Sequence, residues 1–287
     1  MRDDGRVRSA TLLRMSAFAA VALAAALSGC SPLPEGAAPD RGAASGDTTS
    51  ISLPPAGAAP DYQLGGAYAP AAGVGIVGRD RTAVPADGAY SICYVNAFQT
   101  QPGELDDWPD ALLLHAEGGL VFDPDWPDEA IVDTSADRER IAEIVMPWIT
   151  GCADDGFDAV EFDNLDSYSR SDGALTLEDN LALARTLVDA AHEVGLAAGQ
   201  KNAAEDASAL HDQAGFDFAL VEECAAYAEC DAYTAVYGEH VVDVEYTDQL
   251  PRSFAQMCAD PSSPASMVLR DRDLRPAGEP GHVFETC

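Results

Sequence analysis

The chain has 287 residues, enough for one large domain or two ordinary ones, and its 47% hydrophobic content excludes wholesale disorder. Against 49 acidic residues stand 16 basic ones, a formal charge of -33. Such a chain repels phosphate backbones and polyanionic substrates, which argues against nucleic-acid binding, but it does not repel a neutral or cationic partner.

Residues 1–29 read as a processing signal. Arg2, Arg6, Arg8 and Arg14 precede an apolar stretch from Met15 to Leu27, which is too short to span a bilayer comfortably. The stretch ends Leu27-Ser28-Gly29-Cys30, similar to a bacterial lipobox, so Cys30 is expected to be lipidated and to begin the mature chain. The protein is therefore expected outside the cytoplasm, anchored to the membrane by lipid. Residues 30–60, rich in Pro, Gly, Ala and Ser, are expected to be a flexible tether, leaving 61–287 as the globular domain. Without residues 1–29 the formal charge becomes -35.

Cys93, Cys152, Cys224, Cys230, Cys258 and Cys287 remain, an even number that favours disulfides outside the cytoplasm. The local pair Cys224–Cys230 is the one the spacing itself suggests. Cys258–Cys287 and Cys93–Cys152 would complete the set, though the other connectivities of these four stay open.

Val74–Val77 and Tyr90–Val95 read as strands, while 112–114 and 120–122 are ambiguous. Ile131-Val132 reads as a strand end running into Asp133. Thr134 or Ser135 would then cap a helix with Ile141, Ile144, Val145, Trp148 and Cys152 on one face, and Pro147 within it. Asp158–Phe162 is the next strand. Thr176 and Asp179 form a capping box for a helix through Leu181, Ala184, Leu187, Val188 and Ala191, which Gly195 stops. Strands follow at 196–199, 216–221, 241–244 and 267–269. Short apolar runs alternating with amphipathic helices predict a parallel sheet, and a single (β/α)8 TIM-like barrel carrying disulfides fits the length. A doubly wound open sheet, the rival, calls for a Gly-rich phosphate loop between an early strand and a helix, and none is expected.

Asn96, Asp133, Asp163, Lys201, Asn202, Glu222, Glu245 and Asp271 each stand where an apolar run gives out. In a parallel barrel those ends open onto one face, where they would form a polar cup suited to a sugar. Two carboxylates in such a cup are what glycoside hydrolysis needs. Lys201 is the only lysine in the chain, which suggests a compact ammonium required at that place. Trp126, in a loop, is a candidate for stacking on a sugar, whereas Trp148 belongs to the core face of its helix. The five histidines form no metal pattern, so neither a metal nor a cofactor is expected.

Six segments recur in order: Asp61-Tyr62-Gln63-Leu64-Gly65-Gly66, Ile92-Cys93-Tyr94-Val95-Asn96-Ala97, Val160-Glu161-Phe162-Asp163-Asn164-Leu165-Asp166, Gly199-Gln200-Lys201-Asn202, Glu222-Glu223 with Cys224 and Cys230, and Val244-Glu245-Tyr246. Together they resemble the endo-α-1,4-polygalactosaminidase family, glycoside hydrolase family 114, a (β/α)8 barrel. The resemblance implies Asp163 as nucleophile and Glu222 as general acid/base. It implies Lys201, Asn202, Glu245, Tyr94, Asp133 and Asn164 as substrate contacts. It also implies an endo-acting enzyme on an amino-sugar polysaccharide; retention and inversion both stay open, with a lean to retention. A second acid follows Glu222, and strand alternation keeps Glu222 rather than Glu223 in register with the motif. A monomer is expected.

Overall fold

The computed structural model describes residues 51–287; the signal segment, the Cys30 lipidation site and the tether as far as residue 50 lie outside the described residues. Eight parallel strands pair in chain order: β1 (Ala59–Tyr62), β2 (Val74–Asp80), β3 (Tyr90–Asn96), β4 (Ala159–Asp163), β5 (Ala197–Lys201), β6 (Phe218–Glu222), β7 (Val241–Tyr246) and β8 (Ser266–Arg270). A ninth, β9 (Phe284–Thr286), lies antiparallel on β8. This is the expected TIM-like barrel, with short connections that carry no helix after β1 and β2.

The seam between β1 and β8 is joined by a buried ion pair. Arg270, on β8, donates from Nη1 to Asp61 Oδ1 at 2.7 Å and to the carbonyl of Tyr62. Asp61 is held in turn by Gln63 Nε2 at 2.7 Å and Tyr68 OH at 2.9 Å. With both charges buried, loss of either partner would strand the other in the core.

Gly73-Val74-Gly75-Ile76-Val77-Gly78 has the spacing G-x-G-x-x-G but forms β2 itself and opens no helix, so it is no phosphate loop. Its last glycine has a packing reason: a Cβ at Gly78 would meet the Tyr62 ring at 2.6 Å, and one at Gly199 would meet Phe218 at 2.5 Å.

Two long helices flank the sheet. α2 (Leu177–Glu193) starts at the expected capping box, with Asp179 N donating to Thr176 Oγ1 at 3.3 Å and Thr176 N to Asp179 Oδ2 at 3.0 Å. α1 (Arg138–Asp155) runs through Pro147 but starts later than expected, capped by Asp137 rather than Thr134 or Ser135. The reason is local: Asp133 accepts from Ser135 N and Oγ, closing a turn where the helix would have begun.

Ile131-Val132 is not a barrel strand. It sits in the long excursion between β3 and α1, bridged antiparallel to Gln99 and Leu113. Residues 51–60 also depart from expectation, since they pack as part of the domain. Ile51, Leu53 and Ala58 lie against the barrel interior, Tyr90 OH donates to the Ser52 carbonyl at 2.6 Å, and Ala59 opens β1. The apolar floor of the barrel needs this cover. The disulfides are Cys93–Cys152, Cys224–Cys230 and Cys258–Cys287.

Candidate active site

Alternation along the strands decides what enters the barrel. Ile92, Ala159, Ala197, Leu220, Val244 and Val268 pack in its interior. Two residues further along, period two brings Tyr94, Glu161, Gly199, Glu222, Tyr246 and Arg270 to the same inner face, and Asp163 and Lys201 follow one step above Glu161 and Gly199. The apolar filling thus gives way to a polar cup at the C-terminal ends of the strands. A cleft of about 620 Å³ opens there, lined by Tyr94, Asp163, Asn164, Lys201, Asn202 and Glu222 among others.

Lys201 stands between the two expected catalytic carboxylates, its Nζ 3.4 Å from Asp163 Oδ2 and 3.2 Å from Glu222 Oε2. It is 3% exposed. Burial works against its charge, but Asp163, Glu222 and Glu161 together raise its pKa above the ordinary lysine value. Asp163 also accepts from Tyr94 OH at 2.8 Å through Oδ2 and from the Asn164 amide at 2.8 Å through Oδ1. Asn164 holds that amide in place with a left-handed backbone, φ 63°, while its side chain bonds Asn96 and Arg170.

Glu222 accepts from Asn202 Nδ2 at 3.2 Å and from the hydroxyl of Tyr246, and its own amide donates to Asn202 Oδ1 at 2.8 Å. Burial pushes its carboxyl up, but Lys201, Tyr246 and Asn202 prevail and hold it below the ordinary value. The unliganded site therefore keeps Glu222 ionised at neutral pH.

Beneath this layer lies Glu161, fully buried. Neither of its oxygens meets a hydrogen-bond donor among the described residues, and the Tyr62 hydroxyl is likewise unpaired. Burial pushes its carboxyl up to about 8, with Lys201 opposing and Asp163 adding. A carboxyl raised in the fold keeps a proton that the unfolded chain has released, so it removes stability as pH rises from its unfolded value towards its folded one. Glu161→Gln is accordingly expected to gain melting temperature over the native chain as pH rises from about 5 to about 8, and to match it most closely at the acid end. A parallel pair of melting curves across that range would show Glu161 to be ionised throughout.

Two sequence-derived candidates fall outside the cup. Val242 and Val244 face inward on β7, so Glu245 faces outward; it is fully buried and accepts from the amides of Ala225 at 2.9 Å and Ala226 at 3.1 Å. With Asp243, which accepts from Cys224 N at 3.1 Å, it holds the start of the helix that follows Glu222. Its place is structural support, not substrate contact. Asp133 closes the turn before α1 and does not line the cleft, because the segment preceding it is no barrel strand.

Other residues of the cleft carry no strand-end signal in the sequence, four of them with partners that bear on the site. Tyr246 touches Glu222, and Arg272 lies against Tyr246. Glu129, 8% exposed, accepts from Asn96 Nδ2 at 3.0 Å and is pushed up to about 7 by burial and then by Asp163. Asp123 pairs with Arg170 at 2.6 Å. Glu129 and Asp123 come from the irregular excursion, which carries no periodic signal; Tyr246 could have been found by continuing the alternation of β7. Trp126, 58% exposed, lines the same cleft, while Trp148 packs edge-on against Trp108.

Comparison with known proteins bears on what this cleft is for. Aspergillus fumigatus Ega3, solved in complex with galactosamine, matches with a TM-score of 0.65 at 25% identity, covering 84% of this chain and 100% of that one. The glycoside hydrolase domain of PelA from Pseudomonas aeruginosa matches with a TM-score of 0.53 at 13% identity, covering 78% of this chain and 97% of its own, a likeness of fold. A search of curated proteins gave no significant match. The sequence fits the profile of glycoside-hydrolase family GH114 over residues 41–287, which takes in every barrel strand and both carboxylates that face Lys201. The chain belongs to glycoside hydrolase family GH114.

Proposed function

We propose that this glycoside hydrolase cleaves α-1,4-linked galactosamine-type polysaccharide from within the chain, using Asp163 as nucleophile and Glu222 as general acid/base. The observation that carries the reading is the pair of carboxylates facing one buried ammonium at the floor of an open cleft. Both reach the same Nζ, so their nearest oxygens lie no farther apart than the two contact distances together. That limit stands at the lower edge of the roughly 6.5–9.5 Å spacing of inverting enzymes and leaves room for the roughly 5–5.5 Å of retaining ones, so the geometry leans to retention. In the retaining course Glu222 first takes a proton from solvent against the pull of Lys201, Tyr246 and Asn202, and then protonates the departing oxygen while Asp163 attacks the anomeric carbon. Glu222 then takes a proton from the water that releases the sugar.

The cleft is lined by Asp80, Asp123, Asp125, Glu129, Asp166 and Asp273 in addition to the catalytic pair, against Arg170, Lys201 and Arg272. This excess of negative charge suits a substrate with free ammonium groups. The galactosamine bound in the Ega3 structure supports the same class. The Cys30 lipobox supports an extracytoplasmic, lipid-anchored enzyme, and the Pro-, Gly-, Ala- and Ser-rich residues that follow it support a tether.

Incubated with partly deacetylated α-1,4-galactosaminan, the domain is expected to release internal fragments with new reducing ends and to leave a uronic-acid polymer intact. Its kcat/KM is expected to fall about tenfold between low salt and molar salt as steering is screened. Binding without new reducing ends would mark a surface polysaccharide binder on a hydrolase scaffold, and a flat salt response would remove the role of charge in choosing the substrate.

A further inference from the structure

Arg272 follows β8 and reaches back over the ends of β6 and β7. Its guanidinium carbon lies 4.0 Å from the centre of the Tyr246 ring. Nη1 and Nη2 fork onto Glu223 Oε2 and Oε1 at 3.1 and 2.8 Å, and Nε and Nη2 onto Asp248 Oδ2 and Oδ1 at 3.2 and 2.8 Å. Tyr246, 2% exposed, spends its hydroxyl on Glu222 Oε1. Three strand ends are thus tied in one plane: Glu223 after β6, Asp248 after β7 and Arg272 after β8.

We propose that Arg272 is a positioning residue for Glu222, acting through Tyr246. Two fork-shaped carboxylate pairs fix the plane of the guanidinium, and that plane fixes the face of the Tyr246 ring beneath it. The ring then has one place for its hydroxyl, on Glu222 Oε1, which leaves Oε2 turned to Lys201 and Asn202. Although Arg272 lines the cleft, four of its hydrogen bonds are committed to protein carboxylates, so its part is to brace rather than to hold sugar. The arrangement also assigns Glu223. That residue leaves the barrel line in a left-handed conformation, φ 61°, and its carboxylate goes to Arg272, so the second acid is the strut's anchor. A lysine could supply the charge but neither the fork nor the flat face.

The proposal rests on Glu222 being a catalytic carboxylate, and its test separates the two. With partly deacetylated α-1,4-galactosaminan, Arg272→Met is expected to lower kcat about tenfold with KM little changed, Arg272→Lys to recover little of the loss, and Tyr246→Phe to lose at least as much. The double variant Arg272→Met/Tyr246→Phe is expected to be no worse than Tyr246→Phe alone, because one acts through the other. Additive losses, or a raised KM with kcat unchanged, would overturn the proposal. A second readout needs no turnover: a carbon-13 carboxyl titration in which Glu222 is assigned by its disappearance in Glu222→Gln. Glu222 faces Lys201 from β5, Asn202 beyond it, Tyr246 from β7, Asp163 across the ammonium and Glu161 below. Arg272→Met is expected to move its titration upward as Tyr246 loosens. An unmoved titration refutes the strut even if the polymer proves to be the wrong substrate, whereas a moved titration in an inactive native protein refutes only the catalytic reading.

Discussion

Glu222→Gln and Asp163→Asn are each expected to lower kcat by about 10²–10⁴-fold or more on a galactosamine polymer. Glu222→Gln keeps an acceptor for Tyr246 but removes the proton carrier and presents an amide to Lys201 and Asn202. Asp163→Asn keeps an acceptor for the Asn164 amide and loses the anionic oxygen that Tyr94 and Lys201 orient. Shortening the side chains then separates the roles. In Asp163→Ala, azide can enter on the face the nucleophile has vacated and give the glycosyl azide of inverted configuration. In Glu222→Ala, it replaces water in the second step and gives the retained product. Equal residual activity in both isosteres within tenfold of the native rate would mean that neither carboxylate takes part.

Lys201→Met should have the next largest effect, and a more specific signature. The ammonium is the first opposing influence that holds Glu222 below its ordinary value; without it, burial raises the carboxyl. A general acid works only while protonated, so the alkaline limb of the kcat profile is expected to move to higher pH in the variant even as the maximum falls about 10²-fold. Stability should change in a matching way. A carboxylate held low in the fold contributes stability above its unfolded pKa and loses it as pH falls through the folded one. Removing its buried partner is expected to cost about 3–5 kcal/mol at pH 7, and less at pH 4 where the carboxylates take up protons. Melting curves of the two proteins at both pH values measure this; a difference as large at pH 4 as at pH 7 would point to lost packing instead of lost charge.

A polar residue at the end of an apolar run reaches the cleft where the run is a barrel strand and the residue keeps the parity of its inner face. Asp163, Lys201, Asn202 and Glu222 come from β4, β5 and β6, whose alternation is clean, and all of them line the cleft. Asp133 failed on the first condition: Ile131-Val132 is apolar because it packs inside the β3–α1 excursion, and a two-residue run does not reveal its partner. Glu245 failed on the second, since Val242 and Val244 already assign the inner face to Tyr246. β1 left no signal at all. Ala59-Pro60-Asp61-Tyr62 is short, contains a proline and a charge, and becomes a strand because Arg270, 209 residues later in the chain, binds Asp61. The capping box of α2, by contrast, is local chemistry and was legible to the residue.

The single lysine has a practical consequence. A lysine-specific protease has one bond to cut in the whole chain, and that bond follows Lys201 at the end of β5, where the side chain is 3% exposed. No surface loop offers an alternative substrate to blur the result. Cleavage can therefore proceed only as fast as β5 leaves the sheet, and with the protease in excess the appearance of two fragments on a reducing gel times the opening of the barrel at its catalytic strand. Occupancy of the cleft would slow that clock, which turns a digestion into a binding assay that needs no label and no turnover.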